Sequence, residues 1–127
     1  DQVDLYWASG WEEQDQFDEA ERYFNDSLAI MKQLGDRQGE GIAQFNIGNT
    51  LLYRNQLEKA GEKFELSLRL AKTVNDHEGH ADALIQLAAI AEQQQNLPHR
   101  QALLTEAAAI LRRNNIPVTG WLQENGF

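Results

Sequence analysis

The 127-residue chain carries 20 acidic and 11 basic side chains for a formal net charge of −9, with 42% hydrophobic residues, two prolines and no cysteine. That charge repels phosphate backbones and anionic headgroups, so neither nucleic acid nor a membrane surface is an expected partner, and the missing cysteines exclude disulfides and thiolate chemistry. Few prolines and abundant Ala, Leu, Glu and Gln leave little material for a sheet, and an all-α domain with one core is expected.

From the N-terminus, Val3, Trp7 and Trp11 fall on one stripe at helical spacing. Phe17, Ala20, Phe24 and Leu28 fall on another, which predicts a pair of helices closed by Gly35. Asp36 is placed to cap a third helix with the stripe Ala43, Ile47, Leu51 and Arg54, and Gly48 marks a close approach by a neighbour. Asn55, which tolerates the left-handed turn, ends it. A fourth helix carries Leu57, Ala60, Phe64, Ser67, Leu68 and Ala71 up to Val74, where Asn75 and Asp76 repeat the stop-and-cap pair Gly35 and Asp36. The fifth runs from Asp76 through Ala83, Leu87 and Ala91 to a break at Asn96-Leu97-Pro98, where proline suits the first turn of the sixth. Arg112 and Arg113 favour the carboxyl end of that helix, and Asn114, Asn115 and Pro117 stop it. Thr119 is then placed to cap a short last helix whose Trp121 and Leu122 fold back over Ile110 and Leu111.

These elements repeat. The stretch from Phe17 to Gly41 matches Leu57 to Ala81 at an offset of 40, and a fainter copy starts at Leu97. Phe17, Leu57 and Leu97 align, as do Phe24, Phe64 and Leu104, then Ser27, Ser67 and Ala107, then Ile30, Leu70 and Ile110. A fixed period of this size means that each unit is one supersecondary block whose apolar face is buried by its neighbours. Three units, about 1–35, 36–75 and 76–115, are expected to form a three-repeat helical domain over 1–115, with 116–127 a cap or the start of a further helix.

Ile47-Gly48-Asn49 followed by Leu51, Leu57, Ala60, Phe64 and Ser67 resembles the tetratricopeptide repeat (TPR), in its longer-helix variant with about 40 residues per repeat. The resemblance implies an α-solenoid of three antiparallel helix pairs winding as a right-handed superhelix. The first unit departs from the pattern with Ala8 for the glycine, and the third with Arg100 where a small residue lets two helices touch. Such departures suit terminal units.

Each first helix has a second stripe that faces away from its own partner, and the resemblance implies that these stripes line a concave groove holding an extended peptide or a helix. Asn46, Asn49 and Gln86 are candidates to bond the ligand backbone, and Leu5, Tyr6, Phe45 and Tyr53 are candidates to receive its apolar anchors. The competing reading packs Leu5, Phe45 and Ile85 between adjacent repeats as ordinary core. Glu12, Glu13, Asp82 and Glu92 make the groove acidic or neutral, which favours a basic or amphipathic partner, unless they are simply solvated surface. The groove lacks the Lys and Arg of repeat domains that clamp acidic chaperone tails, since Leu5, Ser9, Asp82 and Gln86 stand at those positions.

His77-Glu78-Gly79-His80 has two imidazoles three apart with Asp76 and Asp82 nearby, but it is one short of the His-Glu-x-x-His spacing and spans a helix start. His99, after Pro98, reads as a first-turn residue. Ser27 and Ser67 sit at helix contacts without a base. With no phosphate loop, acid pair or cofactor motif, neither enzyme, metal nor cofactor is expected.

The chain is therefore read as a non-catalytic protein-interaction module within a larger adaptor or regulator. The alternative is self-association, as a homodimer, or intramolecular regulation through the array ends at Trp7, Trp11 and Trp121. No apolar stretch approaches a membrane span. The chain opens at Asp1 rather than Met, leaving room for a removed signal peptide or upstream repeats, and a cytoplasmic location is the expectation.

Overall fold

Helices fill the computed structural model, which describes residues 13–118 and 120–127. They are α1 (Glu13–Leu34), α2 (Arg37–Tyr53), α3 (Leu57–Thr73), α4 (His77–Gln93), α5 (Leu97–Arg113) and the short α6 (Gly120–Glu124). No strand occurs among the described residues. The all-α solenoid expected from the repeat is the fold observed. Val3, Trp7, Trp11 and Thr119 lie outside the described residues. Glu13, which the stripe pattern puts on the helix before Phe17, shares α1 with Phe17. The intervening Gln14-Asp15-Gln16 contains no Gly, Asn or Pro to stop a helix there.

Helices α2 to α5 are 17 residues long, and three-residue connections join α2 to α3, α3 to α4 and α4 to α5. The rhythm comes from one residue per turn in the left-handed conformation: Gly35 at φ 70°, Asn55 at 61°, Asn75 at 57°, Gln95 at 59° and Asn115 at 59°, each twenty positions from the next. At each, the amide of the following residue reaches back to the carbonyl five positions earlier, as in Gln56 to Leu51 at 2.9 Å and Asn96 to Ala91 at 2.8 Å. Two orphan carbonyls are thereby satisfied at every helix end. Three of the next helices start on a capping side chain, Asp36 accepting from the Gly39 amide, Asp76 from Gly79 and Asn96 from His99, while α3 starts at Gln56 without one. So short a turn lays each helix antiparallel against the one before it.

Packing follows chain order, α1 on α2, α2 on α3, α3 on α4 and α4 on α5, and α2 also touches α4. The first helices of successive units thus form an inner layer. One core cluster joins Ala20, Phe24, Ile47, Leu51, Ala60, Phe64 and Ile90, and a second joins Ala81, Leu84, Ala88, Leu104, Ala107, Ile110, Leu111 and Leu122. The aligned trio Phe24, Phe64 and Leu104 is buried throughout. Gly48 sits against the Phe64 ring, where a Cβ would lie 2.7 Å from Cε1, so the α2–α3 crossing needs a residue without a side chain. Arg54, at the C-terminal end of α2, ties α1 to α2 through Glu21 at 3.1 Å and Asp18 at 3.8 Å, and its guanidinium lies over the Phe17 ring at 5.8 Å.

Gln44 is a local misfit. It is 4% exposed, its Oε1 has no hydrogen-bond partner, and its counterpart one period later is the buried Leu84. An orphaned amide oxygen loses its water contacts for nothing, whereas leucine of similar size would bury cleanly. Gln44→Leu is expected to stabilise the chain by about 1–2 kcal/mol, read as a higher urea midpoint at unchanged slope.

Candidate binding groove

Two pockets open along the inner layer, one period apart. The first, of about 290 Å³ between α1 and α2, is lined by Tyr23, Phe24, Ser27, Met31, Asp36, Gly39, Ile42, Ala43 and Asn46. The second, of about 250 Å³ between α2, α3 and α4, is lined by Gln38, Gly41, Ile42, Phe45, Asn46, Ser67, Ala71, Asp76, Gly79 and Asp82. Five positions of one recur in the other at plus 40: Ser27 and Ser67, Met31 and Ala71, Asp36 and Asp76, Gly39 and Gly79, Ile42 and Asp82. Ile42 and Asn46 wall both, so the pockets join into one groove. Its floor is built by the repeat, and Met31 with Ala71 and Ile42 with Asp82 are where its two halves differ.

Of the sequence candidates, Phe45 and Asn46 reach this groove. Phe45 is half-buried and its ring meets Phe64 edge-on at 5.5 Å, so it serves the core and the pocket wall at once. The Asn46 side chain has no hydrogen-bond partner among the described residues, while its backbone carbonyl accepts from Thr50 Oγ1 at 3.1 Å. Asn49 and Gln86 are brought together across α2 and α4: Gln86 Nε2 donates to Asn49 Oδ1 at 2.7 Å. Each keeps a further polar atom to offer, the Asn49 NH₂ and the Gln86 carbonyl oxygen. Tyr53, 60% exposed at the end of α2, lines neither pocket. Glu92 lies near the end of α4 and faces Arg100 at 3.6 Å. Leu5, Tyr6, Glu12 and Ser9 lie outside the described residues. Ile85 packs partly buried against the second core cluster.

Electrostatically the second pocket is acidic. Burial of its carboxyl holds Asp82 above the ordinary carboxylate range, and the carboxylates of Glu78 and Asp76 push the same way. The two histidines of His77-Glu78-Gly79-His80 do share a pocket, but with Lys72 and Arg113 rather than with Asp82. Reading from sequence missed the helix starts as part of the site, where a signal existed. Asp36 and Gly39, then Asp76 and Gly79, recur one period apart, and a Cβ on either glycine would strike the capping carboxylate.

Stacked helical hairpins with a groove on the inner layer define a helical-repeat protein, a class that presents a surface to other molecules. The tetratricopeptide repeat family matches residues 7–73, more than half of the chain, and the chain belongs to that family. No curated protein matches it. The third unit lies past the matched stretch, yet its caps and left-handed turns continue the same geometry. Tetratricopeptide repeats are protein-interaction folds, typically without catalysis. No described helix is long and apolar enough to cross a membrane.

Proposed function

We propose that the chain is a docking module whose concave groove seats a peptide or helix of a partner protein, within a larger cytoplasmic adaptor or regulator. The observation that carries this is the pair of repeat-related pockets sharing Ile42 and Asn46. Tyr23, Met31 and Ile42 form an apolar receptacle for an anchor side chain, and Asp82 in the next pocket suits a Lys or Arg of the same ligand. A cation there would also relieve the crowding of Asp82 by Glu78 and Asp76. The Asn46 amide stands between the two pockets to bond the ligand backbone, and the Asn49–Gln86 pair extends that polar line. The partner is thus a basic, amphipathic segment.

Panning a random peptide library on the chain is expected to enrich segments that pair an apolar residue with Lys or Arg. The double substitution Ile42→Arg with Asn46→Ala should weaken those peptides about a hundredfold, since it closes the shared wall and removes its amide. Gln101→Ala, on the exposed side of α5, should leave them unchanged. Peptides that still bind the double variant with full helical signal would move recognition out of the groove. A second reading, association through the ends, is supported by Trp121, which is 46% exposed beside Arg100. Trp7 and Trp11 lie outside the described residues.

A further inference from the structure

A third pocket, of about 270 Å³, lies where the last turns of α3 and α5 meet the first turn of α4, and it shares only Ala71 with the groove. Lys72, His77, His80 and Arg113 line it. In a chain of net charge −9 such a convergence of basic side chains is unexpected. Among the described residues none of the four has a carboxylate within ion-pair distance, the pairs being made by Arg54 and Arg100. His80 Nε2 is buried and has no hydrogen-bond partner. Burial, then the nearby Lys72, then His77 and Arg113, hold its pKa below the usual histidine value, with Glu106 alone pulling the other way.

The repeat separates what the scaffold needs from what it does not. Lys72 and His77 have basic counterparts one period earlier, Lys32 and Arg37, and the lysines suit a helix carboxyl end. His80 and Arg113 do not: the counterparts are Glu40 and Thr73. The preceding period thus has no basic residue at either position, and both departures add positive charge to the same pocket. We propose that this pocket binds a phosphate-type oxyanion. The Arg113 guanidinium and the Lys72 ammonium supply charged donors, the two imidazoles supply further N–H donors, and the Asn75 amide supplies a neutral one. Asn114 serves as wall, its amide being committed to the Ile110 carbonyl at 2.8 Å. The oxyanion is either free phosphate or the phosphorylated side chain of a protein partner, and the site stands independently of the groove.

The test is an NMR titration of the isotope-labelled chain at constant ionic strength and neutral pH, with inorganic phosphate in one arm and a short phosphoserine peptide in the other. Saturable shifts confined to His77, His80, Lys72 and Arg113 are expected, with the His80 pKa rising on binding. Arg113→Thr, which restores the residue found one period earlier, should weaken binding about tenfold or more, and His80→Gln should do so as a second variant, whereas Lys32→Ala should not. A phosphopeptide that binds well above inorganic phosphate assigns the site to a phosphorylated partner, and equal affinities assign it to the free anion. Shifts that do not saturate, that spread equally to His99 and Lys32, or that persist unchanged in both Arg113→Thr and His80→Gln would overturn the proposal.

Discussion

Phe64→Ala is expected to cost about 3–5 kcal/mol, most of the stability of a domain this small, and to leave the chain largely unfolded at moderate urea. Phe64 has no exposed surface, and its ring meets both the Phe45 ring at 5.5 Å and the bare backbone of Gly48. Neither wall can collapse into the space. Phe45 is fixed by its place in the groove wall, and a glycine has nothing to extend. The loss should therefore sit at the upper part of the range for aromatic truncation. Phe64→Leu, which installs the residue found at the aligned position 104, should cost about half as much. Gly48→Ala gives the complementary check. In the parent chain its methyl would overlap the ring and cost about 1–3 kcal/mol, despite the better helix propensity of alanine. On the Phe64→Leu background most of that penalty should vanish. Additive losses in this double-mutant cycle would mean that the ring and the glycine do not oppose one another as described.

Much of this arrangement is legible in the sequence because the same physical problem is solved several times. Aligned Phe24, Phe64 and Leu104 mark the buried stripe, and Gly48 marks a close crossing, because each position tolerates few residues in a stacked pair. The stop-and-cap pairs are legible for the same reason at Gly35-Asp36 and Asn75-Asp76. Gln95 is not, although its φ of 59° matches the others, since glutamine has no intrinsic bias toward the left-handed region and is held there by the turn around it. The groove is legible only in outline. A stripe on a helical wheel shows which residues leave the core, as Phe45 and Asn46 do, but not that α1, α3 and the helix starts supply much of the pocket walls. It also cannot show that Asn49 and Gln86 spend a hydrogen bond on each other, because that depends on the distance between two units. The basic pocket was hidden for a related reason. Its members come from two helix ends and one helix start, and only stacking puts His80 near Arg113.

Leu122→Ala should produce the second-largest loss, about 2–5 kcal/mol, but confined to one end of the molecule. Leu122 is fully buried in the cluster of Leu104, Ala107, Ile110 and Leu111, and Ile116, Val118 and Phe127 pack around the same cluster. These contacts cover the core between α4 and α5, and we infer that the five-residue α6 acts as a lid on this end of the described array. The turn after it is closed by the Phe127 amide on the Leu122 carbonyl at 2.8 Å, which holds the lid in register. In a stacked array each unit touches only its neighbours, so removing the lid's anchor should loosen α5 and α6 before α2 and α3. Amide hydrogen exchange should then show protection falling at Leu104 to Leu111 while Ile47 to Leu51 hold theirs. Arg100 lies over the Trp121 ring at 6.0 Å, and Trp121 fluorescence should shift towards that of a solvated indole as the lid detaches. Equal loss of protection in both clusters would show instead that the array unfolds as one unit, with α6 contributing to a common core rather than sealing an end.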